Sequence, residues 1–206
     1  MRGGYALPLT LLAAVAAALA VSAVGPTDRL TWWLEVAPVL IAAPVLVLTA
    51  HRFPLTHLLY VLIAIHALIL IVGGHYTYAQ VPLGDWVRNL LDLMRNPYDR
   101  LGHFVQGFVP AIIAREILLR TSPLRRGGWL FFIVCCICLA ISACYEFIEW
   151  WVAIIGGGTS EAFLGTQGDV WDTQWDMFLA LCGAVTAQLV LAGAHDRSLA
   201  RLQKLP

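Results

Sequence analysis

Acidic and histidine side chains gather at the ends of segments otherwise apolar enough to cross a membrane: His75, Asp99, His103, Glu146, Glu149, Asp169, Asp172 and Asp176. An ionisable group in hydrocarbon is costly, so such residues usually face a bundle interior or an aqueous cavity and mark a functional pathway. Carboxylates joined by one or two imidazoles form a hard, oxygen-rich ligand field. Mg²⁺, Mn²⁺ or Ca²⁺ suits the carboxylates, and Fe or Zn enters as imidazoles join. Without a metal, that many neighbouring carboxylates cannot all ionise, and some would hold protons. The strong metal signatures, HExxH or a pair of ExxH motifs, are absent. The same residues therefore admit a structural reading as well: a buried network in which Arg100 and Arg115 pair with acids while Tyr145 and Gln106 fill gaps.

Helical spacing brings these groups onto shared faces. Asp99, His103, Gln106 and Pro110 follow i, i+4, i+7, i+11. Glu146 and Glu149 are three apart and Asp172 and Asp176 four apart, so each pair lies on one face. His103, Glu146 and Glu149 are the candidates for acid–base chemistry. Asp99, Arg100, Gln106 and Tyr145 are the candidates for substrate binding. His103, Glu146, Glu149, Asp169, Asp172 and Asp176 would be the ligands of a divalent metal ion.

The elements that must position them are membrane helices. The 206 residues are 60% hydrophobic and only 13% charged, with a mean hydropathy of +0.76; soluble domains carry about 25% charged residues. Thirteen basic and thirteen acidic side chains cancel, so nothing points to nucleic acid as a partner. A helix needs about 20 apolar residues to cross a bilayer, and six stretches qualify: 5–24, 31–50, 55–77, 101–119, 128–152 and 173–194. The first also has a secretory signal's outline, with Arg2 ahead of it and Ala18-Leu19-Ala20 within. Its apolar run exceeds the ~7–15 residues of a signal's core, so it reads as a retained span.

Six spans place both termini on one side. With that side cytoplasmic, Arg2, Arg52, Arg120, Arg125, Arg126, Arg197, Arg201 and Lys204 lie inside. Arg29, Arg88, Arg95 and Arg100 lie outside, in accord with the positive-inside rule. The third to sixth spans then bring their polar ends to the outer leaflet. Residues 78–100 form an external segment whose stretch from Asp85 to Met94 reads as an amphipathic surface helix ended by Asn96-Pro97. Residues 154–171 are glycine-rich and acidic. No internal repeat is present, which argues against an inverted-repeat transporter. The fold expected is all-α and polytopic, one bundle over 1–206 with six transmembrane helices plus the short external helix.

Other residues read as packing or surface. Cys135, Cys136, Cys138, Cys144 and Cys182 lie in apolar stretches and serve as small packing residues. Trp32, Trp33, Trp86, Trp150, Trp151, Trp171 and Trp175 fit an aromatic belt, and Glu35 beside the first two reads as interfacial. His57 and His66 belong to helix packing, while His51 and His195 read as surface. Arg115-Glu116 lies about 18 Å deeper than His103 at 1.5 Å per residue, in a separate layer. Glu116 should pair with Arg115, Arg120 or the Arg125-Arg126 loop. Ala180, Gly183, Ala184 and Ala187 are small packing positions.

The runs NPYDRLGHFVQGFVPAIIAREILLR, YEFIEWW and GTQGDVWDTQWDM resemble the YjdF family of bacterial inner-membrane proteins, a family with a domain of unknown function. More distantly, the order is similar to VanZ-like membrane proteins. There an Asp-basic-x-x-His-Phe opens one helix, Tyr-Glu closes the next and Asp-x-x-x-polar opens another. Asp99, His103, Tyr145, Glu146, Asp172 and Asp176 would occupy those places. The resemblance implies a location in the bacterial inner membrane and, through the VanZ-like proteins, a link to the cell envelope.

The function expected is binding or modification of an envelope or lipid-linked small molecule in an outward-facing pocket, with metal assistance. The partners would be the lipid bilayer and an amphiphilic ligand; whether turnover occurs stays open. The rivals are a proton- or cation-coupled transporter and a non-catalytic membrane partner. The transporter requires a second polar layer continuing to the cytoplasm.

Overall fold

The computed structural model describes residues 5–156 and 161–202, and every regular element among them is helical. In order these are α1 (Ala6–Ser22), α2 (Arg29–Thr49), α3 (His57–Tyr76), the short α4 (Pro82–Leu90), α5 (Tyr98–Thr121), α6 (Gly128–Gly156), the single turn α7 (Glu161–Leu164) and α8 (Asp172–Leu202). Five of them, α2, α3, α5, α6 and α8, are long and apolar enough to cross a membrane. The first apolar helix, α1, has 17 residues and is thus shorter than the ~20 that a 30 Å hydrocarbon core requires.

Local signals set the boundaries. Asp28 caps α2 by accepting from the Thr31 amide at 2.7 Å, and Thr56 caps α3 through the Leu59 amide. Pro82 opens α4 at a position where its missing N–H costs nothing. Pro38 and Pro44 lie inside α2 and Pro110 inside α5, tolerable where neighbouring helices enclose the freed backbone groups. The largest departure from the expected spans is α8. It runs 31 residues, about 46 Å, and so carries His195 and Asp196 on a continuous helix rather than on a tail.

The centre of the bundle is the contact of α5 with α8, flanked by α6 and α3; α1 and α2 pack on the far face of α3. Gly107 and Gly183 make that contact close. A Cβ on Gly107 would overlap the backbone of Ala180, and one on Gly183 would overlap the backbone of Phe104. The expected small residues Ala180, Ala184 and Ala187 are all fully buried here. Leu59, Ala111, Ile112, Leu130, Val134 and Cys138 complete the main apolar core.

The starts of α2, α5 and α8 and the finishes of α3 and α6 fall at one end of this bundle. This is the acidic end. The opposite end holds Arg52, Arg120, Arg125, Arg126, Arg197 and Arg201.

Candidate functional site

The acidic end is assembled around Asn96, which is completely buried. Its side-chain amide donates to Val81 O at 3.0 Å and to Asp85 Oδ1 at 3.2 Å. Its Oδ1 accepts the Tyr98 amide at 3.0 Å, and its backbone exchanges two hydrogen bonds with the Gln167 side chain. One residue therefore ties α4, the start of α5 and the loop before α8 into a unit. The sequence identified Asn96 only as a helix breaker.

That tie directs Arg95 inward. Its guanidinium bonds Asp99 at 3.0 Å and the Gly165 carbonyl at 3.1 Å, pairs with Asp169 at 3.7 Å, and makes a short bond to Asp172. Burial pulls against its charge, but the bond to Asp172 and the charges of Asp172, Asp99 and Asp176 outweigh this and hold its pKa above the usual value. Arg100 sits further out, 3.0 Å from Asp169 and over the Trp175 ring at 5.3 Å.

His103 occupies the middle of the cluster and is buried. Its Nδ1 lies 3.0 Å from Gln106 Oε1 and 4.0 Å from Glu146 Oε1. Its Nε2 lies 3.6 Å from Asp99 Oδ1 and 3.8 Å from Asp176 Oδ2. Two sets of possible ligand atoms share the ring, Asp99–His103–Asp176 and His103–Glu146–Glu149, each with its atoms within 4.8 Å of one another. Donors at those separations can sit about 2.0–2.6 Å from a common hard cation. The first set uses the nitrogen that Gln106 leaves free.

Hydrogen bonding in this cluster is incomplete. Glu146 Oε1, Asp172 Oδ2 and Asp176 Oδ1 are buried with no hydrogen-bond partner among the described residues. Buried polar atoms are seldom left so, and each exception calls for an explanation. Asp99, Glu146, Glu149, Asp172 and Asp176 are each at most 8% exposed, against the two guanidiniums of Arg95 and Arg100. Acidic groups thus outnumber basic ones in this cluster, even with His103 counted among the latter.

Beside His103 a cavity of about 200 Å³ opens between α2, α3, α5 and α6. Its lining includes Asp99, His103, Gln106, Tyr145 and Glu149, all singled out in the sequence. It also includes Glu35 and Tyr78, which were not. Glu35 is buried rather than interfacial, and Tyr145 donates to its Oε2 at 3.3 Å. The neighbouring tryptophans misled the sequence reading, because only Trp33 is exposed while Trp32 turns inward to Ser22. Tyr78 follows the end of α3 with Thr77, both in left-handed backbone conformations (φ 43° and 59°), a costly geometry for a β-branched residue such as Thr77. Its ring fills a slot in which a Cβ on either Gly73 or Gly102 would collide with it. Burial, with the Glu35 charge beside it, pushes the Tyr78 phenol well above its ordinary value, so it stays a hydrogen-bond donor.

Of the residues singled out by sequence, His103, Asp99, Gln106, Tyr145, Glu146, Glu149, Asp172 and Asp176 come together. Asp169 and Arg100 pair with each other at the rim and belong to neither ligand set. His75 lies apart, its Nδ1 2.9 Å from Ser22 O.

A second polar layer lies toward the basic end, and here the surface reading of His195 is overturned. His195 is fully buried, with Nε2 3.0 Å from Glu116 Oε2 and Nδ1 2.7 Å from Arg115. Glu116 also accepts from the Thr56 amide and hydroxyl and from Arg120, one of the partners expected. Arg115 pairs with Asp196 at 2.8 Å, and Asp196 with Arg126 at 3.0 Å. The length of α8 explains the miss: a span ending at residue 194 would have left His195 outside.

Over residues 7–197 the chain matches the family described as Predicted membrane protein (DUF2238). It is also 55% identical over 196 residues to the inner membrane protein YjdF of Escherichia coli (strain K12), covering 95% of this chain and 91% of that protein. No solved structure matches it.

Proposed function

This chain belongs to the DUF2238 family of predicted membrane proteins, and as a multi-pass inner-membrane protein it has the bilayer for its surroundings; from that premise we propose that its acidic end is an outward-facing pocket holding a divalent cation. Through that cation and the adjoining cavity the pocket would take a small molecule of the envelope, free or lipid-linked. With α1 counted as a sixth span, the arginine-rich end is cytoplasmic and the acidic end faces outward.

One observation supports this reading: three buried carboxylate oxygens, on Glu146, Asp172 and Asp176, have no hydrogen-bond partner among the described residues in a cluster where acids outnumber bases. A cation bound by His103 Nε2, Asp99 and Asp176 would engage Asp176 directly and offset the repulsion between it and the neighbouring carboxylates. It would act as a Lewis acid toward a ligand head group, with Glu146 and Glu149 placed to move a proton. Asp172 is engaged by Arg95 and orients the set; Asp169 and Arg100 form the rim.

The transporter reading gains from the second polar layer around Glu116 and His195, which is larger than the sequence suggested. Against it, the apolar core of Leu59, Ala111, Ile112, Val134 and Ala184 separates the two layers, and the inner one is internally bonded. Metal content and Mn²⁺ titration of the purified protein test the proposal. A stoichiometric divalent ion should be present, and Asp176→Asn or His103→Gln should weaken its binding at least tenfold. Absence of binding to the unaltered protein would sink it.

A further inference from the structure

The cavity beside His103 is far larger than a metal ion needs, and its lining has a definite chemistry. At the acidic end it presents the carboxylates of Glu35, Asp99 and Glu149 with the aromatic rings of Tyr78, Tyr145 and His103. Deeper, the walls are Pro38, Leu70, Pro110 and Ile141. Among the described residues no lysine or arginine lines it; Asp99 is met from outside the cavity by Arg95 at 3.0 Å, while Glu35 accepts from the Tyr145 hydroxyl at 3.3 Å. At the deep end lies His66, whose Nε2 is buried with no hydrogen-bond partner among the described residues.

Depth can be read along α3. Gly74 faces Glu35, since a Cβ there would stand 3.0 Å from the Glu35 Cβ. His66 is eight residues earlier on the same helix, about 12 Å further in at 1.5 Å per residue. Acidic and aromatic groups together at one end are how proteins recognise an ammonium. Aliphatic walls suit a carbon skeleton, and a lone imidazole nitrogen at the bottom suits an N–H or O–H on that skeleton.

We propose that this cavity binds a small organic amine, its ammonium among Glu35, Glu149, Tyr78 and Tyr145, its carbon chain along Pro38, Leu70, Pro110 and Ile141, and a second hydrogen-bonding group at His66. This deepens the reading of the acidic end as a ligand pocket and rests on it. It names the ligand class, and it assigns Glu35 and His66 to the ligand rather than to the metal. An acyl chain is disfavoured, because it would leave His66 unanswered and expose the carboxylates to hydrocarbon.

The test is calorimetric titration of the purified, Mn²⁺-loaded protein in detergent with 6-aminohexan-1-ol, hexylamine and hexan-1-ol. The aminoalcohol should bind, hexylamine about fivefold more weakly for want of one hydrogen bond, and hexan-1-ol at least tenfold more weakly still. His66→Leu should bring the aminoalcohol down to the level of hexylamine while leaving hexylamine unchanged. Glu35→Gln should weaken both amines; should that variant not fold, Tyr145→Phe, which removes the hydroxyl bonded to Glu35, serves in its place. Mn²⁺ binding without amine binding overturns this inference and leaves the metal reading standing. Failure of both overturns both. Amine binding indifferent to Glu35→Gln and His66→Leu puts the amine elsewhere and overturns the assignment.

Discussion

Replacing Arg95 and replacing Glu146 should move stability very differently, although both side chains are buried and charged. Arg95 is 10% exposed at its side chain and serves Asp99, Asp172 and Asp169 together. Arg95→Gln removes the cation and leaves these carboxylates facing one another, a change that typically costs ~3–5 kcal/mol. For a chain of this length that is roughly 6–20 °C in Tm, at ~2–4 °C per kcal/mol. Glu146 stands between opposing terms. Its Oε1 is 4.0 Å from His103 Nδ1, while Glu146 and Glu149 offer oxygens within 4.8 Å of each other. At an effective dielectric of about 20 those distances correspond to ~4 kcal/mol of attraction to a protonated ring and at least ~3.5 kcal/mol of repulsion between ionised carboxylates. The two oppose each other at similar size. Where Glu146 carries a proton, glutamine replaces it almost isosterically. Glu146→Gln should therefore unfold within about 1 kcal/mol of the unaltered protein in metal-free detergent solution, while binding of Mn²⁺ weakens. Thermal unfolding followed by tryptophan fluorescence, with and without Mn²⁺, reads both quantities. Equal destabilisation by the two substitutions, with Mn²⁺ without effect on either, would refute the reasoning and make the cluster a balanced ion-pair network.

Three further outcomes follow from other parts of the bundle. Reporter fusions after Arg126 and at Pro206 should report the cytoplasm and a fusion near Glu161 the periplasm; a periplasmic C-terminus would reverse the outward assignment of the acidic end. Gly107→Ala, whose new methyl meets the Ala180 backbone rather than a movable side chain, should lower stability by about 1–3 kcal/mol or more, seen as an earlier melting transition. His195→Leu removes one partner of the fully buried Glu116 and should cost ~3–5 kcal/mol, yet leave Mn²⁺ binding by the folded fraction unchanged, since the two layers are separate.

How far the sequence reached depended on whether a residue's neighbours lay along its own helix. Asp99, His103 and Gln106 share a face by periodicity alone, and so do the pairs Glu146–Glu149 and Asp172–Asp176; helices that alternate in direction then bring those faces to one end. The residues missed were those whose partners are set by tertiary contacts. Glu35 meets Tyr145 from a different helix, and Arg95 is aimed by the Asn96 tie between three segments. His195 escaped because the apolar run ends before it while the helix continues; a search for helical periodicity past residue 194 would have shown it on the face of Gln188 and Leu199, both buried. The count of spans was likewise limited by α1, apolar throughout but short.

The two polar layers differ in a way that bears on where function resides. In the inner layer every polar atom of Glu116 and His195 has a partner: Thr56, Arg120 and Arg115 complete the set. With Arg115 donating to Nδ1, the ring carries its proton on Nε2 and donates a hydrogen bond from there to Glu116, which fixes one tautomer. A network satisfied in this manner holds α3, α5 and α8 in register and gains nothing from an added ligand. The outer layer has the opposite character. It is about 20 Å away along α5, from His103 to Glu116, and it carries more carboxylates than cations, unpartnered oxygens and an adjoining cavity. Burying such groups without compensation is destabilising, and protons held by some of the carboxylates or a bound cation would each relieve it. The inner layer therefore reads as scaffold, and the outer layer is the place where the proposed cation and its ligand would find polar groups not already committed to one another.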